Sequence, residues 1–388
     1  MRKSLAPLIL AGLLCAGPAS AEILAAMNYE SKAGVEPRRE GIAVIDIDPA
    51  SKAFNTIVKE APLPPDFVAH HIYFNKGQTK AYVTSLGRSA LAVYDLSIFP
   101  EGVRFVPVPD CKVGEDMVFS NDRKRWFLSC MGSSNIIVGD AESDLTLSVI
   151  AAPEPAKGEA AKPFIKHPHG LTLNEKLDLL IATSTVNPAD FKQAGETIAL
   201  IEASTGKPLA THKVSEKPSP AGEAPVETAF IPNREPPVAY ITNMLGATLW
   251  TATWGKDKSV DLRRVYDFAS IGQGVPLEME FSESGDRLYV TTAKPGALNI
   301  FDIADPQAPK LLASAPTAPG AHHFVFSPDR RYAFVQNSLL NLPDMSDGSV
   351  SVVDLEANKL VGKIDVLQKA GFNPNCIILM PKWREAED

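Results

Sequence analysis

The chain of 388 residues is short of most features that would announce a function. No stretch approaches the eighteen uninterrupted apolar residues that a membrane-spanning helix needs, so no membrane insertion is expected. Basic residues number 38 against 46 acidic ones and form no cluster, which argues against nucleic acid or an anionic membrane surface as partner. There is no C-x-x-C-H haem attachment, no G-x-S-x-G nucleophile elbow, no phosphate-binding P-loop and no G-x-G-x-x-G opening a helix. Cysteines number four and histidines seven.

The first residues have the marks of a secretory signal covering 1–21. Met1-Arg2-Lys3 is cationic, Leu5 to Leu14 is apolar, and Ala19-Ser20-Ala21 supplies an A-x-A cleavage site before Glu22. Removing Arg2 and Lys3 takes the formal charge from −8 to −10. The expected mature protein, 22–388, is exported to a bacterial periplasm. Three cysteines remain after cleavage. In an oxidising compartment Cys111 and Cys130 could bridge, because a predicted hairpin brings them together, and Cys376 is then left over.

What the chain does contain is a repeat. Six segments read alike: "VAHHIYFNKGQTKAYVTS", "VGEDMVFSNDRKRWFLSC", "HPHGLTLNEKLDLLIATS", "PVETAFIPNREPPVAYITN", "PLEMEFSESGDRLYVTTA" and "GAHHFVFSPDRRYAFVQN". Each is an apolar run, a polar turn and a second β-rich run, the pattern of a hairpin. Most are followed by an alternating strand ending in an acid, such as "ALAVYDLS" or "SVSVVDLEA". Units recur every 45 to 58 residues or so, which suits four short strands each. The chain end, "NPNCIILMPK", looks like a further first strand, and "EILAAMNYES" with "GIAVIDIDPA" supplies strands that lack one. The prediction is an all-β, seven-bladed β-propeller forming a single domain, its last blade closed by N- and C-terminal strands so that no sheet edge stays open.

The stretches "FSPDRRYAFVQN", "FSESGDRLYVTT" and "KAYVTS" resemble the bacterial repeats named for their Tyr-Val-Thr-Asn strand. That superfamily includes lactonase-like proteins, amine dehydrogenase heavy chains and the propeller domain of nitrous oxide reductase. The resemblance covers nearly all of 22–388 and implies the fold. It also allows a quinone cofactor on a partner subunit, but fixes no function.

Six of the seven histidines fall at or beside the entry to a first strand, His212 being the exception. Counting four residues back from the aligned anchor of each unit gives His70, Glu115, His169, Glu227, Leu277, His322 and Asn375. Three back stand His71, Asp116, Gly170, Thr228, Glu278, His323 and Cys376. First strands of a propeller line its central channel, so these side chains should converge at the channel mouth. Strand alternation predicts that one histidine of each adjacent pair faces the channel and the other the next blade. His70, His71, His169, His322, His323 and Cys376 are the expected metal ligands. Imidazole with carboxylate and thiolate suits a transition metal, with copper favoured. Glu278 is the candidate general base, while Glu115-Asp116 reads more readily as a capped turn.

Three functions fit these residues. The first is a copper protein oxidising a small-molecule substrate. The second is a propeller without chemistry of its own that binds a periplasmic redox partner. The third is a lactonase-like hydrolase holding a magnesium, calcium or manganese ion through Glu227, Glu278 and a histidine.

Overall fold

The computed structural model describes residues 23–155, 157–158, 164–255 and 259–381; the expected signal segment lies outside them. Seven four-stranded antiparallel sheets make seven blades of a propeller. In chain order the innermost strands are Ala69–Phe74, Gly114–Phe119, Pro168–Asn174, Pro225–Phe230, Gly274–Phe281, Ala321–Phe326 and Phe372–Leu379. The seventh blade joins the two ends of the chain: Phe372–Leu379 pairs with Leu24–Ser31, which pairs with Glu40–Asp46 and then Thr56–Leu63. Closure by both termini is thus as the repeat predicts.

The apolar alternation of the strands is spent between blades. Each of the seven interfaces has its own core. Tyr82 and Val93 of the first blade, for example, meet Trp126 and Leu128 of the second. Ala25 and Met27 of the seventh meet Phe334 and Val352 of the sixth. An eighth cluster, with Val226, Leu277 and Leu339, lies over the strand-entry end of the channel.

One device recurs in every blade. The inner strand slips register with its neighbour where the site residues stand: between Ala69 and Ile72, Gly114 and Met117, Pro168 and Leu171, Pro225 and Thr228, Pro276 and Met279, and Ala321 and Phe324. In the seventh blade the partner of Asn28 is Cys376 and that of Tyr29 is Pro374, which leaves Asn375 out. Such bulges leave residues outside the ladder and re-aim their side chains. A fully buried polar residue on the second strand of each blade faces this slip: Thr84, Ser129, Thr183, Thr242, Thr291, Gln336 and Asn28. These satisfy backbone groups that the ladder abandons. Thr84 Oγ1 accepts from the His71 amide at 3.0 Å, and Ser129 Oγ from that of Asp116 at 3.0 Å. Many also reach the next blade: Ser129 donates to the His169 carbonyl at 2.6 Å, Thr291 to that of His322 at 2.7 Å, and Asn28 to that of His70 at 2.7 Å.

Candidate metal centre

Because of the bulge, adjacent histidines do not alternate. His70 and His71 stack with ring centroids 3.9 Å apart, and His322 and His323 lie 4.1 Å apart. The expected outward turn of one member of each pair is therefore not found: the extra residue in the inner strand brings both rings to the channel. His71 reaches His323 at 4.6 Å and His169 at 5.8 Å between centroids, and His70 reaches His322 at 6.5 Å. Five imidazoles from three blades thus form one layer across the channel, separated in sequence by up to about 250 residues.

Glu115 completes the layer. Its Oε2 stands 2.9 Å from His70 Nε2 and 3.5 Å from His169 Nε2. His169 Nδ1 is 2.8 Å from Glu227 Oε1. His70, His71, Glu115 and His169 each offer one ligand atom within 4.8 Å of all the others, and His71, His322 and His323 do the same. Ligands about 2.1 Å from a tetrahedral ion lie about 3.4 Å from one another, so the spacing requires only small side-chain adjustments.

The layer is buried and several of its polar atoms lack partners. His70, His71, Glu115 and His322 are each no more than 2% exposed. His70 Nδ1, His71 Nε2, His322 Nδ1 and His323 Nε2 are buried without a hydrogen bond. Buried polar atoms are nearly always satisfied, and this many orphans in one place fits an ion that they would bind. Burial, reinforced by the neighbouring imidazoles, holds His71, His322 and His323 well below the ordinary histidine pKa, so their rings are neutral and available as ligands. Burial pushes Glu115 up, but His70 and His169 outweigh it and keep the carboxyl below its usual range.

Tyr73 supports the layer from outside. Its hydroxyl meets His71 Nδ1 at 2.9 Å and also bonds the carboxyl of Asp116, which in turn accepts from the Leu171 amide at 2.6 Å. With Nδ1 engaged, Nε2 is the atom of His71 left for an ion. Gly170 is required where it stands, since a Cβ would lie 2.5 Å from the Val226 carbonyl oxygen.

Below the imidazoles, toward the exits of the inner strands, is an acidic compartment of about 250 Å³ lined by Asp116, Glu227, Glu278 and Glu280. It leads to a wide mouth bordered by Phe74, Phe119 and Phe326. Glu278 Oε1 lies 3.6 Å from His323 Nδ1 and 3.8 Å from His322 Nε2. Burial and the charge of Glu227 raise its pKa well above the usual carboxyl value. Cys376 lines this compartment and stands outside both ligand groups; burial pushes its thiol up to about 12. His167 bonds the Met131 carbonyl at 3.0 Å, away from the layer, and His212 is on the outer strand Pro208–Lys213. Cys111 and Cys130 form a disulfide.

Sequence reasoning undervalued Glu115 and Asp116 and passed over Tyr73. The missed signal was the polar residue in each second strand, the Thr of "YVTS" and the Ser of "FLSC", which marks the bulge and so the direction of both residues inside it.

No family model and no curated protein matches the chain. Solved structures do. A hypothetical selenium-binding protein from Sulfolobus tokodaii aligns with TM-score 0.70 at 14% identity, covering 94% of this chain and 92% of its own. A putative 6-phosphogluconolactonase from Bacteroides uniformis gives 0.65 at 13%, over 93% and 100%. The periplasmic gluconolactonase of Pseudomonas aeruginosa gives 0.62 at 15%, over 92% and 99%. The likeness is one of fold. Lactonase-type seven-bladed propellers are thus among the structural neighbours, while the Tyr-Val-Thr-Asn repeat label rests on the sequence resemblance alone.

Proposed function

We propose that this protein is a metal-dependent enzyme of the periplasm, with its ion held across the channel by His70, His71, His169, His322 and His323 together with Glu115. The observation that carries the reading is the convergence of these buried donor atoms, several of them unpartnered, within 4.8 Å of one another in two groups sharing His71. Imidazole-rich sites suit copper, zinc or iron over magnesium and calcium, and copper leads by intrinsic affinity. The disulfide between Cys111 and Cys130 supports an oxidising compartment.

Bound there, copper would supply one-electron chemistry for oxidation of a small molecule. Glu278, beside His322 and His323 with a raised pKa, is placed to accept or return a proton. A second reading is hydrolysis of a lactone, favoured by the fold neighbours that carry lactonase names. There Glu278 would act as general base toward water.

Metal content of protein purified from its own periplasm tests the proposal, measured beside a His70→Ala/His169→Ala/His322→Ala variant. Stoichiometric copper, zinc or iron lost in the variant is expected, and its identity separates oxidation from hydrolysis. Equally negligible metal in both proteins would overturn it.

A further inference from the structure

The imidazole layer has a second face. Toward the entries of the inner strands it floors a separate cavity of about 240 Å³. Val226 and Leu277 form its walls beside His70, His169 and His322; Met244, Leu340 and Met345 come in over it from the loops that follow second strands. Among the described residues the polar groups in its lining are Glu115, Thr185 and the histidines, with no lysine or arginine. The two compartments against the same layer are thus opposite in character, one acidic and one apolar.

We infer that this cavity is a binding site for a small uncharged molecule with an aliphatic or aromatic body, which presents one donor atom to the imidazole layer. The inference rests on the metal-centre reading for the donor atom but not for the cavity itself. Shape and polarity carry it. An apolar protein cavity of about 150 Å³ can take up benzene, so this one has room for a ring with a substituent. A sugar acid or a phosphorylated ligand would lose its hydration against Val226, Leu277 and Leu340 with no cationic side chain to replace it. His70 Nδ1 and His322 Nδ1, both buried and unpartnered, belong to residues of the floor, so a donor atom arriving there meets groups that lack partners. The three methionine and leucine side chains from the loops can re-pack around ligands of different outline.

Benzene and pyridine have nearly the same size and differ in one donor nitrogen, which makes them the probes. Each is titrated into the metal-free protein and into protein loaded with copper(II), followed by ligand-observed NMR and thermal shift, with gluconate as a polar comparison. Both rings should bind the metal-free protein saturably, and gluconate should not. Loading with copper should tighten pyridine relative to benzene. Met244→Trp and Leu340→Trp, which fill the cavity from half-buried loop positions, should weaken both by about tenfold or more while the circular dichroism spectrum is kept. The inference falls if neither ring saturates in folded metal-free protein, if gluconate binds as tightly as benzene, or if both filled variants bind the rings unchanged. Failure of copper to load would remove the metal reading and leave the cavity to be decided by the metal-free titrations.

Discussion

The hydroxyl of Tyr73 lies 2.9 Å from Nδ1 of His71, two residues back along the same inner strand. In a regular strand such neighbours share a face; here the bulge between Ala69 and Ile72 also brings His70 to that face. Tyr73 therefore ties down the ring that both ligand groups have in common.

Removing the phenol hydroxyl should loosen His71 without unfolding the blade. Tyr73→Phe is expected to lower metal affinity by about 10- to 100-fold, the usual cost of losing a partner behind a ligand. Competition with a chelator measures it. Affinity equal to that of the parent protein would show that the tie does nothing for the ion.

Among the described residues Glu115 is the one carboxylate in the two ligand groups. Glu115→Gln keeps the shape and deletes the charge that His70 and His169 stabilise. The expected outcome is weaker metal binding, by about tenfold or more, with the fold retained in circular dichroism. Unchanged metal stoichiometry and affinity would place the ion on imidazoles alone.

Stability of the metal-free protein should fall on both sides of a pH optimum. His71, His322 and His323 have folded pKa values below the ordinary 6.5, so the unfolded chain binds more protons as pH drops through and below 6.5, and stability is lost there. Glu227 and Glu278 have folded values above the ordinary 4.5, so the native state must give up protons as pH rises, and stability is lost in that direction. Glu278→Gln should accordingly raise the thermal midpoint more in mildly alkaline buffer than near pH 4.5. An effect of the same size at both values would contradict the assignment.

The clamp from Thr291 to the His322 carbonyl is fully buried. Thr291→Val keeps the volume and leaves that carbonyl without its donor, at a cost of about 1–3 kcal/mol by urea unfolding. Metal affinity should fall with it, because His322 is held by the same backbone. Valine tolerated at no cost would mean that the clamp is ornamental.

Replacing Cys111 and Cys130 with serine opens a loop of 19 residues within one blade, where Cys130 pairs with Gly114 next to Glu115. The expected loss is about 3 kcal/mol of stability. Urea unfolding measures it. Cys376, being buried, should react with an alkylating reagent only after unfolding.

The blades could be read from the chain because hairpin patterning is local: "AHHIYFNKGQTKAYV" and "AHHFVFSPDRRYAFV" each carry two strands and their turn within fifteen residues. Convergence of His70, His169 and His322 followed from strand position alone, since ring closure places equivalent residues about one axis. The direction of His71 and His323 did not follow, because alternation fails at a bulge and a bulge depends on Thr84 and Gln336 filling the slip. Glu115 was passed over for a related reason: an acid at a strand entry looks like a turn cap until the histidines of two other blades are beside it. The apolar cavity had no signature, as Met244, Leu277 and Leu340 come from three blades.

The seventh blade stands between the one that carries His322 and the one that carries His70, and it is finished by Phe372–Leu379. Until those final residues dock, the two histidine pairs belong to opposite lips of an open ring. A chain cut short before Phe372 would keep six blades and every imidazole yet lose the geometry that binds them together. On the metal reading, an ion held there would report that the ring has closed.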